Sequence, residues 1–194
     1  FLSYFPLRLP FSLCVSASLR LCVFALMFCV PAVAQRVVVL TPNQTEQSNT
    51  YAEKIEKQLA KQFRILDGAM SEAAFSSAKS EENPFNMTNT ASKAIGSAIG
   101  CDYFILVDSA TLRRSSSLRP EYYESHAAIY AVSSRSGRLV FWRLLRFEAA
   151  KPQSAQSLLD DASGDLASQI AEKLQSVTKD ELAERAPVEI EQPP

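Results

Sequence analysis

The chain has 194 residues, of which 47% are hydrophobic and 21% charged, with a formal net charge of -1. This composition is typical of a globular protein, and the length fits one domain with extensions. The near-zero charge gives no basis for general binding to nucleic acid. We therefore predict no nucleic-acid partner.

The first 34 residues differ from the rest of the chain. They contain no Asp or Glu, and their arginines, Arg8 and Arg20, precede the apolar run Leu21–Val30 and the small residue Ala34. This order is typical of a secretory signal, and the run is half the length that a bilayer span of about 20 residues requires. We predict a signal peptide at 1–34, cleaved to release a protein that is not integral to the membrane. A membrane-tethered form with an uncleaved signal is the alternative.

Residues 35–177 are predicted to form a single domain of alternating strands and helices. In chain order, the patterns predict a strand at 36–41, a helix over 51–63, a strand at 64–67, a short helical segment at 71–78, a helix over 88–99, a strand at 102–109, a hairpin of strands at 126–132 and 138–149, and a long helix over 155–177. The acidic segment 178–194 holds three prolines and is predicted to be disordered.

The order β-α-β-α-β-β-β-α predicts an α/β fold. Alternation in the first half favours a parallel sheet with helices on its faces, and the hairpin adds antiparallel strands to that sheet. We predict a three-layer α/β/α domain with a mixed sheet of about five strands. The second hairpin strand has apolar residues on both faces, which predicts that both are partly covered.

Two glycines, Gly96 and Gly100, precede the strand at 102–109. A dinucleotide-binding loop follows a strand and opens a helix, so this order is the reverse of what such a site needs. We predict that Gly96 and Ala98 allow close packing of the helix, and that Gly100 ends it in a left-handed conformation. Cys101 is predicted to be a packing residue, and the one histidine, His126, lies in another strand.

We predict no catalytic, cofactor-binding or metal-binding residue, and no enzymatic activity. Asp67 and Asp108 stand at strand ends, where carboxylates usually cap the next turn. An alternative is a crevice at the carboxyl ends of the parallel strands, lined by Thr41, Leu66, Asp67 and Asp108. Such a crevice would make the protein an exported small-molecule or glycan-binding domain, or a weak hydrolase.

The segment from Thr111 to Glu148 carries the clearest charge bias, with seven arginines against three glutamates. Its first part, 111–125, is rich in serine and is predicted to be an exposed loop. A basic surface with aromatic residues favours an acidic protein, the cell wall or an anionic lipid surface as a partner. A solvated hairpin face is the simpler interpretation. The candidate partner-binding residues are Arg113, Arg114, Arg119, Tyr122, Tyr123, Arg135 and Arg138.

Two short motifs resemble a known superfamily. In the strand motif the matching residues are Gly100, Asp102, Tyr103, Ile105, Leu106 and Val107, and in the hairpin motif they are Val132, Ser136, Gly137, Leu139, Val140 and Trp142. The chain is similar here to the bacterial envelope domains of curli secretion-channel lipoproteins, of lipoprotein activators of penicillin-binding proteins, and of the Tol translocation protein's amino-terminal part. Cys101 replaces the usual alanine of the strand motif, and the lipid-attachment cysteine is missing.

The resemblance implies a domain that acts by binding other envelope proteins and carries no catalytic residues. The segment between Ala110 and His126 is too short and polar for the membrane-crossing hairpins of the channel family. The sequence therefore predicts an exported, non-enzymatic protein-binding domain of the periplasm or cell envelope that serves envelope assembly or secretion.

Overall fold

The computed structural model of the protein describes residues 34–78 and 83–183. In chain order its elements are β1 (Arg36–Leu40), α1 (Glu46–Leu59), β2 (Arg64–Ile65), α2 (Gly68–Ala78), α3 (Asn89–Ile99), β3 (Tyr103–Arg114), β4 (Tyr122–Ser133), β5 (Leu139–Ala149), α4 (Pro152–Asp161) and α5 (Ser163–Ala183). None of the helices in these two ranges combines the length and the apolar character needed to span a membrane. The predicted signal peptide lies outside the described residues, apart from Ala34.

The five strands form one mixed sheet in the order β2-β1-β3-β4-β5. Strand β1 is parallel to β2 and β3, whereas β4 is antiparallel to both β3 and β5. The predicted mixed sheet of five strands, with a hairpin added to a parallel part, is therefore confirmed.

Both faces of the sheet are covered by helices, because β3 is apolar on both of its sides. Ile105 faces a core shared with α1, α4 and α5, where Ile55 and Ile170 are fully buried. Phe104, on the opposite side, packs in a second core with residues such as Ile95 of α3. Successive strand residues point to opposite faces, so the continuous apolar run of β3 requires two covering layers. The predicted three-layer architecture is confirmed.

Threonine side chains cap the amino-terminal ends of α1 and α3. Thr45 precedes α1 and its side chain accepts a hydrogen bond from the Ser48 backbone N–H. Thr88 serves α3 in the same way through the Ala91 N–H, and Gly100 ends that helix with a φ of 75°. The helix predicted at 88–99 is thus observed with Thr88 as its cap. Ala98, however, is exposed and takes no part in the close packing assigned to it.

Several predicted boundaries are wrong, and the helix predicted over 51–63 is observed as α1 at Glu46–Leu59. Strand β3 continues to Arg114 and β4 begins at Tyr122, so most of the predicted exposed loop at 111–125 is a paired strand. The predicted long helix is divided at Ala162 into α4 and α5. Helix α5 extends to Ala183, beyond the predicted start of disorder at 178. The last eleven residues lie outside the described part.

A single side chain replaces a strand beside β3. Strand β1 pairs with β3 only at Tyr103–Leu106. Three residues further on, the fully buried Ser48 hydroxyl accepts a hydrogen bond from the Ser109 N–H at 2.9 Å and donates one to the Ser109 carbonyl at 3.1 Å. The serine therefore satisfies both backbone groups of Ser109 where the neighbouring strand has ended.

We expect Ser48→Ala to lower the free energy of unfolding by about 1–3 kcal/mol, because it leaves a buried N–H and a buried carbonyl without partners. Urea unfolding of the purified protein measures this difference. Ser97→Ala, at an exposed position of α3, is the control and should change stability by less than about 0.5 kcal/mol. Equal stability of the two variants would contradict the role assigned to Ser48.

Candidate protein-binding surface

The seven predicted partner-binding residues lie at two opposite ends of the β3–β4–β5 ribbon. At the tip between β3 and β4, Arg113 pairs in register with Tyr123 and Arg114 with Tyr122, and Arg119 lies in the connecting loop. Arg135 and Arg138 lie at the opposite end, in the β4–β5 turn. The twelve residues of β4 span about 40 Å at roughly 3.4 Å per residue. The structure does not bring the seven residues together into one surface.

At the tip, the arginines are paired with carboxylates of the same ribbon. Arg113 lies 2.8 Å from Glu121, and the Tyr123 hydroxyl donates a hydrogen bond to the same carboxylate at 2.9 Å. This hydrogen bond, with that from Arg113, lowers the pKa of Glu121. Arg119 pairs with Glu148.

Glu124 is the most enclosed charge of the ribbon, with a side chain only 8% exposed. Arg114 approaches one of its oxygens to 3.2 Å and Arg146 the other to 3.5 Å. The Arg119 guanidinium lies 4.4 Å from the centre of the Tyr122 ring, within range of a cation–π interaction. The tip is therefore an ordered charge network whose arginines are largely balanced from within.

The arginines of the turn and of β5 are less balanced. Arg135 is 3.9 Å from Glu181 of α5. Within residues 34–78 and 83–183, neither Arg138 nor Arg143 has a carboxylate within 4.0 Å. Both side chains are exposed. Among the described residues of the ribbon, the arginines without a carboxylate partner thus lie at the β4–β5 turn, where Arg138 was predicted, and in β5, where Arg143 was not.

The sequence prediction missed an apolar surface on the same ribbon. Of the seven large apolar side chains that are exposed in the described residues, five lie between Leu112 and Leu144. Two of these are Leu112 and Leu118 near the tip. The remaining three, Leu139, Trp142 and Leu144, lie along β5 and form what we term the β5 apolar strip.

A β-bulge in β5 places the strip on one face. Register shifts by one residue opposite Ala131 and Val132, so Val140 joins Phe141 on the α4–α5 side, while Leu139 joins Trp142 on the other. Bulges re-aim side chains in this manner. The partial cover predicted for both faces of β5 is slight on the Trp142 face, where Trp142 is 55% and Leu144 40% exposed. Strict alternation gave no sign of the bulge.

A small cleft opens beside the strip. Its lining includes Phe85, Met87, Tyr130 and Leu139, and its volume is about 180 Å³. The Phe85 and Tyr130 rings are 5.3 Å apart. Such a cleft has the chemistry of an anchor site for one apolar side chain.

The alternative crevice at the strand ends is only partly formed. A cleft of about 470 Å³ lies at the carboxyl end of β1, and of the four residues predicted to line it, Thr41 alone does so. Leu66 packs against the second core. Asp67 accepts a hydrogen bond from the Met70 N–H at the start of α2, which is the capping role expected of a strand-end carboxylate.

The polar groups around Thr41 are already bonded to one another. Its N–H donates to Glu72 at 3.0 Å and its hydroxyl donates to Asn49 at 2.6 Å. Asp108 accepts a hydrogen bond from the Asn43 side chain at 2.9 Å. These contacts stabilise the loop after β1, while Glu53 and Glu56 of α1 also line the cleft.

The structure also separates Cys101 from His126. His126 is opposite Ala110 of β3, nine residues beyond Cys101, which corresponds to about 30 Å along the strand. Cys101 is buried, its sulfur lies 3.3 Å from the Ser134 hydroxyl, and burial raises the pKa of its thiol. It is the packing residue that was predicted. Throughout 34–78 and 83–183, no three His, Cys, Asp or Glu side chains are grouped to hold a metal ion.

No protein-family model matches this sequence, and no curated protein matches it. Solved structures do align with it. Lipoprotein GNA1162 from Neisseria meningitidis aligns with a TM-score of 0.46 and 13% identity, over 71% of this chain and 99% of that one. The LpoB C-terminal domain from Salmonella enterica aligns with a TM-score of 0.38 and 13% identity, over 66% and 93%.

Rare lipoprotein B from Shewanella oneidensis aligns with a TM-score of 0.36 and 10% identity, over 78% of this chain and 99% of that one. Two of these three neighbours are lipoproteins by name.

Proposed function

We propose that this protein is an exported, non-enzymatic domain that binds other proteins in the bacterial cell envelope and serves envelope assembly or secretion. The signal-like sequence at 1–34 supports export to the periplasm or cell envelope. The strand and hairpin motifs support a domain that acts through surface contact. An envelope protein is the proposed partner.

One observation carries the proposal: the exposed apolar side chains are concentrated on the β3–β4–β5 ribbon. Leu118 at the tip is 93% exposed, and Trp142 on β5 is 55% exposed. Clustered apolar surface marks interaction sites, and Trp and Arg are enriched where proteins bind one another. The bonded polar groups around Thr41 give less support to a small-molecule or glycan site.

The test is recovery of partners from an envelope extract by the purified protein. We expect the Leu118→Glu and Trp142→Glu variants to fail to recover proteins that the wild type recovers, because each substitution places a charge on the proposed contact surface. Met70→Glu is the matched control, since Met70 is also an exposed apolar side chain, 77% accessible, but lies on α2.

Thermal unfolding should show that all three variants are folded, because each replaced side chain is exposed. Quantitative mass spectrometry of the recovered proteins then compares them. If the two ribbon variants and the Met70 variant recover the same proteins as the wild type, binding does not occur through the ribbon.

A further inference from the structure

We infer that β5 is a docking edge for an extended, acidic segment of a partner protein, which adds to the sheet as a strand. This inference rests on the proposed function and names the chemistry of the partner. Strand β5 is eleven residues long and stands last in the strand order. Within the described residues, β4 is its one strand neighbour, so its outer side presents backbone donors and acceptors.

The other edge of the sheet is unsuited to the same task. Strand β2 has two residues, Arg64 and Ile65, and an edge of that length offers too few hydrogen bonds to hold a strand. Proteins protect long edges with charged side chains or cover them. Strand β5 carries such charges in Arg143 and Arg146, but it also has exposed apolar side chains on one face, and strand addition by a partner is a known use of long edges.

The side chains of β5 define which strand fits. Arg143 is opposite Ile129 and so is directed to the α4–α5 side, while Trp142 and Leu144, opposite Tyr130 and Ala128, are directed to the other. A strand added to β5 would alternate in the same manner. Its acidic side chains would then meet Arg143 on one face, and its apolar side chains would pack beside the β5 apolar strip on the other.

The positive charge at β5 favours an acidic partner strand over a second copy of this chain. Antiparallel pairing of two whole β5 strands, centred on Leu144, would bring Arg143 of one copy close to Arg143 of the other. Like charges opposite each other in neighbouring strands destabilise pairing. The same arginines favour a strand that carries carboxylates, and combining attraction with repulsion is how interfaces gain specificity.

The probe for the test is a synthetic octapeptide in which Glu alternates with Val. We expect it to bind the purified protein, measured by calorimetry, and to slow hydrogen exchange of the backbone amides at 139–149. Arg143→Glu should weaken binding about tenfold. Arg64→Glu is the matched control, because Arg64 is an exposed arginine on the opposite edge, and it should leave the affinity unchanged.

Two further peptides separate strand pairing from charge adsorption. One replaces alternate Val residues by Pro, which keeps the charge but cannot pair as a strand, and the other replaces Glu by Lys. Binding of either peptide as tight as that of the first would overturn the inference. Self-association of the wild type, detected by ultracentrifugation and lost in the Trp142→Glu variant of β5, would overturn it in favour of a second copy.

The chain itself also contains acidic sequence, with Glu184, Glu189 and Glu191 after the last described residue. If the octapeptide binds only after residues 184–194 are removed, the occupant is this segment and not a partner. Because the titration uses purified protein and synthetic peptides, its outcome can be interpreted whether or not recovery from the envelope extract succeeds.

Discussion

Replacing Gly137 by alanine is expected to lower the free energy of unfolding by about 2–5 kcal/mol. Gly137 has a φ of 70°, which costs any residue with a Cβ about 1–2 kcal/mol. In addition, a Cβ at this position would overlap the backbone carbonyl oxygen of Asn89 at the start of α3. A backbone atom cannot rotate away as a side chain can, so the turn or the helix must shift.

Gly100→Ala separates these two causes. Gly100 has a similar φ of 75°, but a Cβ there would meet no atom within 4 Å. We expect this substitution to lower the free energy of unfolding only by the conformational cost, about 1–2 kcal/mol. Urea unfolding compares the two proteins. If both variants lose the same stability, the contact between the β4–β5 turn and α3 does not constrain the fold.

The second large effect is expected at Glu124. Replacing both Arg114 and Arg146 by methionine should cost about 2–3 kcal/mol, because it leaves a nearly buried carboxylate without an opposite charge. The value is below the 3–5 kcal/mol of a fully buried pair since the two arginine side chains are 48% and 57% exposed. Solvent therefore screens part of each interaction.

Adding Glu124→Gln to the double variant should restore most of the lost stability, because the buried charge is then gone. Arg113→Met is the control, since the Arg113–Glu121 pair is exposed on both sides and exposed pairs contribute about 0–1 kcal/mol. A triple variant no more stable than the double variant would show that the loss arises from packing of the arginine side chains.

The parts of the fold that could be predicted are those in which local sequence and burial agree. The apolar run of β3 must be covered on both faces, and Thr88 and Gly100 mark the two ends of α3 by local chemistry alone. The motif around Gly137 located the hairpin turn for the same reason, because a left-handed residue is needed there. Each of these signals depends on neighbouring residues only.

The extent of the ribbon could not be predicted in this way. All of the residues from Thr111 to Arg114 except Leu112 are polar, and only pairing with β4 makes this segment a strand. The bulge near Val140 depends on the register with Ala131 and Val132, which alternation within β5 does not reveal. The arginines of the candidate surface were identified by composition, but composition cannot show that about 40 Å of strand separates the tip from the turn. Nor can it show that Glu124 lies between Arg114 and Arg146.

The two ends of the ribbon are held unequally. At the turn, Gly137 lies against α3 and the Ser133 hydroxyl donates to Glu181 of α5 at 2.7 Å, so two helices fix its length and position. At the tip, the ion pairs of Arg113 and Arg119 join residues of the ribbon alone. Residues added between Ser115 and Pro120 would therefore lengthen the ribbon's reach without disturbing a core contact. Chain-length variation at the tip is thus a route by which one scaffold can meet partners at different distances.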